Sequence, residues 1–148
     1  MRKILVALSL LVGTAFTSNA QSTIDETIKE WERAKAYTKE YLEAMPADKY
    51  SLKPTPEIRS FAQQMLHFTD ANYGFISAAT GVTSPVGQGV SEKTTDISKE
   101  NVTKLVLAGY DFAINSIKTL TPAQLTENVK LFGRFDMTKG MAIAKAFE

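Results

Sequence analysis

The sequence contains no cysteine and a single histidine among its 148 residues. The missing thiol excludes disulfides, thiolate metal sites, a cysteine nucleophile and covalently attached c-type haem. It also excludes a lipoprotein anchor, which needs a cysteine just after the leader. An excess of one charge is missing too, since 17 basic and 16 acidic residues leave a net charge of +1. No broad field is available to draw in nucleic acid or an anionic membrane, and no nucleic-acid partner is expected. Serines and threonines are plentiful, but there is no second histidine to build a nucleophile site around them. The Gly81 to Gly89 stretch lacks the Lys-Ser/Thr that a phosphate-binding loop needs. Carboxylates such as Glu26 and Glu30 fall on a solvated helix face, where nothing tunes them for acid–base work.

What is present begins with a leader. Arg2 and Lys3 form a charged start, Ile4 to Val12 an apolar stretch, and Ser18-Asn19-Ala20 a small-residue cleavage site. This pattern predicts a signal peptide over residues 1–20, a mature chain from Gln21, and a periplasmic or secreted location. The apolar run is shorter than the ~20 residues a spanning helix requires, so no stable membrane anchor is expected after cleavage.

Four helical patterns follow in one domain, residues 21–148. The first runs from about Thr23 to Met45. It opens on capping-box spacing between Thr23 and Glu26 and carries Ile24, Ile28, Trp31, Thr38, Leu42 and Met45 on one stripe. Lys35 interrupts that stripe and can extend its charge outward, and Pro46 ends the helix. The second is expected to start at Thr55-Pro56-Glu57 and to end at Gly81. Its apolar arc holds Ile58, Phe61, Ala62, Met65, Leu66, Phe68, Phe75 and Ile76. A loop to Thr95 precedes the third helix, which begins near Asp96 or Ser98 and presents Val102, Leu105, Val106, Phe112, Ala113, Ile117 and Leu120. Thr121-Pro122 starts a short turn. Val129 to Phe132 reads as a short extended or irregular piece, and Gly133 breaks it. The fourth helix is expected from Asp136 or Thr138, with Met137, Met141, Ala144 and Phe147 inward. It spans only about 11 to 13 residues, against roughly 20 or more in the others. An antiparallel bundle wants helices of comparable length, so the sequence is expected to be a fragment with an incomplete fourth helix.

His67 falls almost opposite the centre of the apolar arc of the second helix. Ala71, Gly74 and Ala78 follow it on the same side. This face is poor in charge and built of small residues, so a ligand, a backbone or a metal with its partners could come close. Gly74 inside a helix costs about 1 kcal/mol relative to alanine. A lone helix histidine is more often solvated or structural than a ligand, and a stable zinc or nickel site wants three or four ligands. Neither Asp70 nor Glu148 completes a recognisable spacing with His67.

Several stretches resemble one family. Tyr41-Leu42-Glu43-Ala44-Met45-Pro46-Ala47-Asp48-Lys49-Tyr50 is similar to the end of the first helix in DinB-like (YfiT-like) proteins. Lys53-Pro54-Thr55-Pro56-Glu57-Ile58-Arg59-Ser60-Phe61 resembles their entry to the second helix. Gln64-Met65-Leu66-His67-Phe68-Thr69-Asp70-Ala71-Asn72-Tyr73 resembles the segment carrying their first metal ligand, and Asp136-Met137-Thr138-Lys139-Gly140 the entry to their last helix. The resemblance implies an all-α, up-down-down-up four-helix bundle, often a homodimer. It also implies a divalent metal, zinc or nickel, held by three histidines, of which only His67 has a counterpart here. The implied activity is metal-dependent hydrolysis or small-thiol transfer on a small-molecule substrate. For this chain, tight metal binding is not expected and the catalytic residues stay unassigned. A non-catalytic binding or stress-associated module is the competing reading, and a haem-binding bundle with His/Met ligation the remote one.

Overall fold

The computed structural model describes the backbone of residues 2–147 and the side chains of residues 23–147. The expected leader and its cleavage motif lie outside the residues described in full, as does Glu148. Four helices, α1 (Arg2–Ala44), α2 (Phe61–Thr80), α3 (Lys99–Lys118) and α4 (Lys139–Phe147), are joined by short 3-10 turns and one hairpin of β1 (Asn128–Leu131) and β2 (Phe135–Thr138). Among the described residues no helix is long and apolar enough to cross a membrane.

Two clusters of buried side chains fix the helix directions. Leu42 near the end of α1 packs with Ala62 and Leu66 at the start of α2 and with Val102 and Val106 at the start of α3. Ile24 and Trp31, earlier in α1, pack with Ile76 and Ala79 near the end of α2, with Ala113 and Ile117 near the end of α3, and with Ala142 and Ile143 of α4. Helices α2 and α3 therefore both run against α1. Phe147 meets Trp31 edge to face at 5.5 Å, so α4 runs along α1. The order is up-down-down-up, as the family resemblance implied. In this ring α1 packs on α3, α3 on α2, and α2 on α4. Because α2 and α3 are parallel, the chain must cross the length of the bundle between them, which the stretch from Gly81 to Ser98 does.

The helix ends follow local chemistry, and several expectations are corrected. Thr23 is not an N-cap. It lies inside the run of α1, and its carbonyl accepts from the Thr27 hydroxyl at 2.8 Å; no Gly or Pro just upstream forces a break there. The second helix starts at Phe61, not at Thr55-Pro56. Ser60 is the cap: its hydroxyl accepts from Gln63 N at 3.2 Å, and its own N–H donates to Gln63 Oε1 at 2.9 Å. The amides of Phe61 and Ala62 are taken by the carbonyls of Leu52 and Tyr50. Satisfying these first-turn donors requires the chain to fold back just before Ser60, which leaves Ile58 49% exposed rather than on the apolar arc. Phe68 is also exposed. At the other end Gly81 adopts φ 80° and donates to Ser77, the expected left-handed cap. Ser98 caps α3 as expected.

Asp136 does not begin the fourth helix; it pairs in β2 with Lys130 of β1. Val129 and Met137 face each other on the inner side and pack on the core, while Lys130 and Asp136 point outward. This two-residue alternation is only four residues long on each strand, too short to stand out against the helical pattern that follows. Helix α4 then starts at Lys139, with the Thr138 hydroxyl accepting from Met141 N at 3.2 Å. Its buried face is Ala142 and Ile143; Met141, Ala144 and Phe147, expected inward, are exposed. It has 9 residues where α2 and α3 have 20 each.

Candidate functional site

The side of α2 that carries His67 opens into a cleft of ≈ 650 Å³. Its floor includes Ala71, Gly74 and Ala78, so the small-residue face read from the sequence is the floor of a real space. A Cβ on Gly74 would meet nothing within 4 Å, so no close helix contact requires glycine there. The loop between α2 and α3 folds back over the cleft through Val86 to Gly89 and Glu92, and the hairpin tip contributes Phe132.

Asp70 holds that loop. Its two carboxylate oxygens accept from the backbone amides of Ser91 at 3.0 Å and Glu92 at 2.9 Å. Asp70 is thereby occupied as a tether. Glu92 is then positioned to bridge two side chains: Arg59 Nε donates to Oε1 at 2.6 Å, and His67 Nδ1 lies 3.0 Å from Oε2. The Arg59 hydrogen bond first, then the His67 hydrogen bond, together with the Arg59 charge, hold the Glu92 carboxyl below its ordinary range, against a smaller opposing effect of burial. An ionised carboxylate only accepts, so the proton between the two groups sits on His67 Nδ1. In the neutral imidazole that leaves Nε2 with its lone pair, and no hydrogen bond to Nε2 exists among the described residues.

Because the Glu92 carboxyl is more acidic in the folded chain than when unfolded, its tether is complete above the ordinary carboxylate range. It is lost as the pH falls through the lowered value. An NMR pH titration is expected to shift the amides of residues 87–94 as the pH falls below about 4.5, the ordinary value. In Glu92→Gln the part of that acid step carried by the Arg59–Glu92–His67 bridge should vanish, while the Asp70 tether to the Ser91 and Glu92 amides is still in place. The change in global stability should be small, since Arg59 and Glu92 are 42% and 30% exposed and such pairs contribute little.

The structure places His67 at the cleft and adds three residues that the sequence reading did not single out: Arg59, Glu92 and Phe132. Arg59 and Glu92 lie 8 positions before and 25 positions after His67, on segments with no periodic signal. The one available hint was that a loop with two glycines had to return over an uncharged helix face. No three His, Cys, Asp or Glu side chains come together as a metal site among the described residues. With Asp70 taken by two amides and Glu92 by Arg59 and His67, the donors present do not fit a three-ligand site.

The family model for the DinB superfamily matches residues 30–146. The crystal structure of a DinB-like protein from Bacillus cereus is similar in fold, with a TM-score of 0.71 over 83% of this chain and 80% of that one, at 13% identity. No curated protein matches the chain.

Proposed function

Starting from the fact that the chain belongs to the DinB superfamily, we propose that it is an exported small-molecule-binding protein whose ligand sits in the cleft beside His67. The observation that carries this reading is the chain of Arg59, Glu92 and His67, which fixes one imidazole tautomer beside an open space of ≈ 650 Å³. A pocket of that size with few fixed polar groups is the usual form of a small-molecule site. The group it offers is the Nε2 lone pair, so the ligand is a neutral hydrogen-bond donor with an apolar body.

A second reading is favoured by the same hydrogen bond. Metal-binding histidines commonly donate their other ring N–H to a carboxylate, which orients the ring and raises ligand basicity. Superfamily members commonly bind metal, and a divalent zinc or nickel hydrolase or small-thiol transferase would use His67 in that way. The described residues supply one such ligand, however, and no step of such a reaction can be derived from them.

One preparation tests both readings. Protein recovered from the periplasm is expected to have an intact mass that begins at Gln21. Its amide spectrum is then followed during titration with Zn²⁺, Ni²⁺, cyclohexanol and phenol. The binding-protein reading expects at least one alcohol to shift the amides of Gly74, Gly87 and Gly89, and His67→Ala to remove the shift. Saturable one-to-one metal binding that disappears in His67→Ala would replace it with the metalloenzyme reading. An intact leader in the recovered protein would overturn export.

A further inference from the structure

The tip of the β1–β2 hairpin places an aromatic side chain where the backbone disfavours one. Phe132 has φ 52° and Gly133 φ 68°, and Arg134 N donates to Leu131 O at 3.1 Å across them. Left-handed φ at both central positions marks a type I′ turn, whose first central residue is favourably Asn, Asp or Gly. Glycine satisfies the second position here. At the first, a phenylalanine must hold a left-handed conformation that bulky residues rarely adopt.

The Phe132 side chain is not buried in exchange, as it is 49% exposed. Its ring packs edge-on against Phe75 of α2, with centroids 4.8 Å apart, and both rings line the same cleft as His67. Strain at a half-exposed aromatic beside a pocket is a departure from local preference of the kind found where a side chain serves a ligand. The cleft thus brings together a tautomer-fixed imidazole and two aromatic rings, one of them on the hairpin tip.

We propose that Phe132 is a specificity-determining residue: with Phe75 it forms an aromatic wall that selects, for the cleft beside His67, ligands with a planar aromatic body bearing one hydrogen-bond donor, phenols being the simplest class. This rests on the reading of the cleft as the ligand site. Phe75 and Phe132 stand edge to face, so a flat ring has both a face and an edge to meet. The donor hydroxyl of a phenol suits the lone pair of Nε2. Phe132 positions and selects; no bond is made or broken.

The test compares phenol with cyclohexanol, which keeps the hydroxyl and the six-membered ring but not the aromatic faces. Binding is followed by amide shifts in the wild-type chain, in Phe132→Asn and in His67→Ala. Asparagine suits the left-handed position, so the Phe132→Asn hairpin is expected to keep its fold, checked by unchanged amide shifts in β1 and β2. Phenol should bind more tightly than cyclohexanol to the wild type, and Phe132→Asn should weaken phenol roughly three- to tenfold while leaving cyclohexanol nearly unchanged. Equal binding of both alcohols, lost together in His67→Ala, would leave the cleft as a ligand site and overturn aromatic selection. If neither alcohol moves a cleft amide, the selection proposal and the binding reading beneath it both fall. Phenol binding that survives Phe132→Asn undiminished also overturns the proposal.

Discussion

Trp31→Ala is expected to lower the stability of the chain by about 3–5 kcal/mol, the range for removing a large buried aromatic. Trp31, in α1, is 2% exposed and stands where the other three helices meet it. It contacts Tyr110 of α3 edge to face at 6.0 Å and Phe147 of α4 at 5.5 Å, and it belongs to the buried cluster that includes Ile76 of α2. A domain's whole stability is typically about 5–15 kcal/mol, so this variant should be close to unfolded at moderate temperature. Trp31→Phe should cost much less. It keeps a ring at the same position and removes the indole Nε1, which is buried without a hydrogen-bond partner. An unsatisfied buried donor costs roughly 1–3 kcal/mol, and losing it offsets part of the lost volume. Urea unfolding followed by far-ultraviolet circular dichroism measures both. Equal losses in the two variants would show that Nε1 is satisfied in solution and that the orphan-donor account is wrong.

The same substitution at two glycines should have opposite signs. At Gly109 in α3, a new Cβ would lie 3.0 Å from Thr69 Cγ2 and 3.7 Å from Thr69 Cα. Gly109 thus lies directly against Thr69 of α2. Thr69 has little freedom to yield, because it is 1% exposed and its hydroxyl donates to Met65 O at 2.9 Å, so turning Cγ2 away would break that bond. Overpacking of this sort costs about 1–3 kcal/mol, from which about 1 kcal/mol of helix propensity is recovered. Gly109→Ala is therefore expected to lower the melting temperature. At Gly74 the new methyl meets nothing within 4 Å, so only the propensity gain of about 1 kcal/mol applies and the melting temperature should rise. The methyl would project into the cleft beside His67, so the gain in stability should come with weaker binding of the alcohol probes. Thermal unfolding of the two variants side by side decides the matter. A stabilised Gly109→Ala would mean that the two helices can separate without loss.

The residues that carried the fold were legible wherever one physical cause dominated. Pro46, Gly81, Ser98 and Thr121-Pro122 mark ends through backbone chemistry that neighbours cannot override, and the stripes through Trp31, Leu42, Val102 and Ile117 were read as buried and are buried. Misplacement occurred where a distant contact outweighed a good local signal. Thr55-Pro56-Glu57 has the chemistry of a helix start, but the carbonyls of Tyr50 and Leu52 claim the amides of Phe61 and Ala62 and move the start to Ser60. Met141, Ala144 and Phe147 satisfy a helical period as well as Ala142 and Ile143 do; β2 sets the rotation of α4, and that depended on a strand pairing invisible from one side. For the site, His67 and its small-residue neighbours were readable because they share one helix. Glu92 and Phe132 reach the cleft, and Arg59 reaches Glu92, from three other segments, and no local pattern links them.

The parallel course of α2 and α3 has a kinetic consequence. A bundle whose consecutive helices are all antiparallel can assemble by adding one neighbour at a time. Here α1 rests on α3, and the polar contacts between them join residues far apart in sequence: Thr38 with Tyr110, and Lys35 with Asp111, are separated by 72 and 76 positions. Closing such a loop costs entropy before the contact repays it. The stripe of α1 has no large surface to bury on until α3 has crossed back along the bundle, so the first helix in the chain is among the last to find its place.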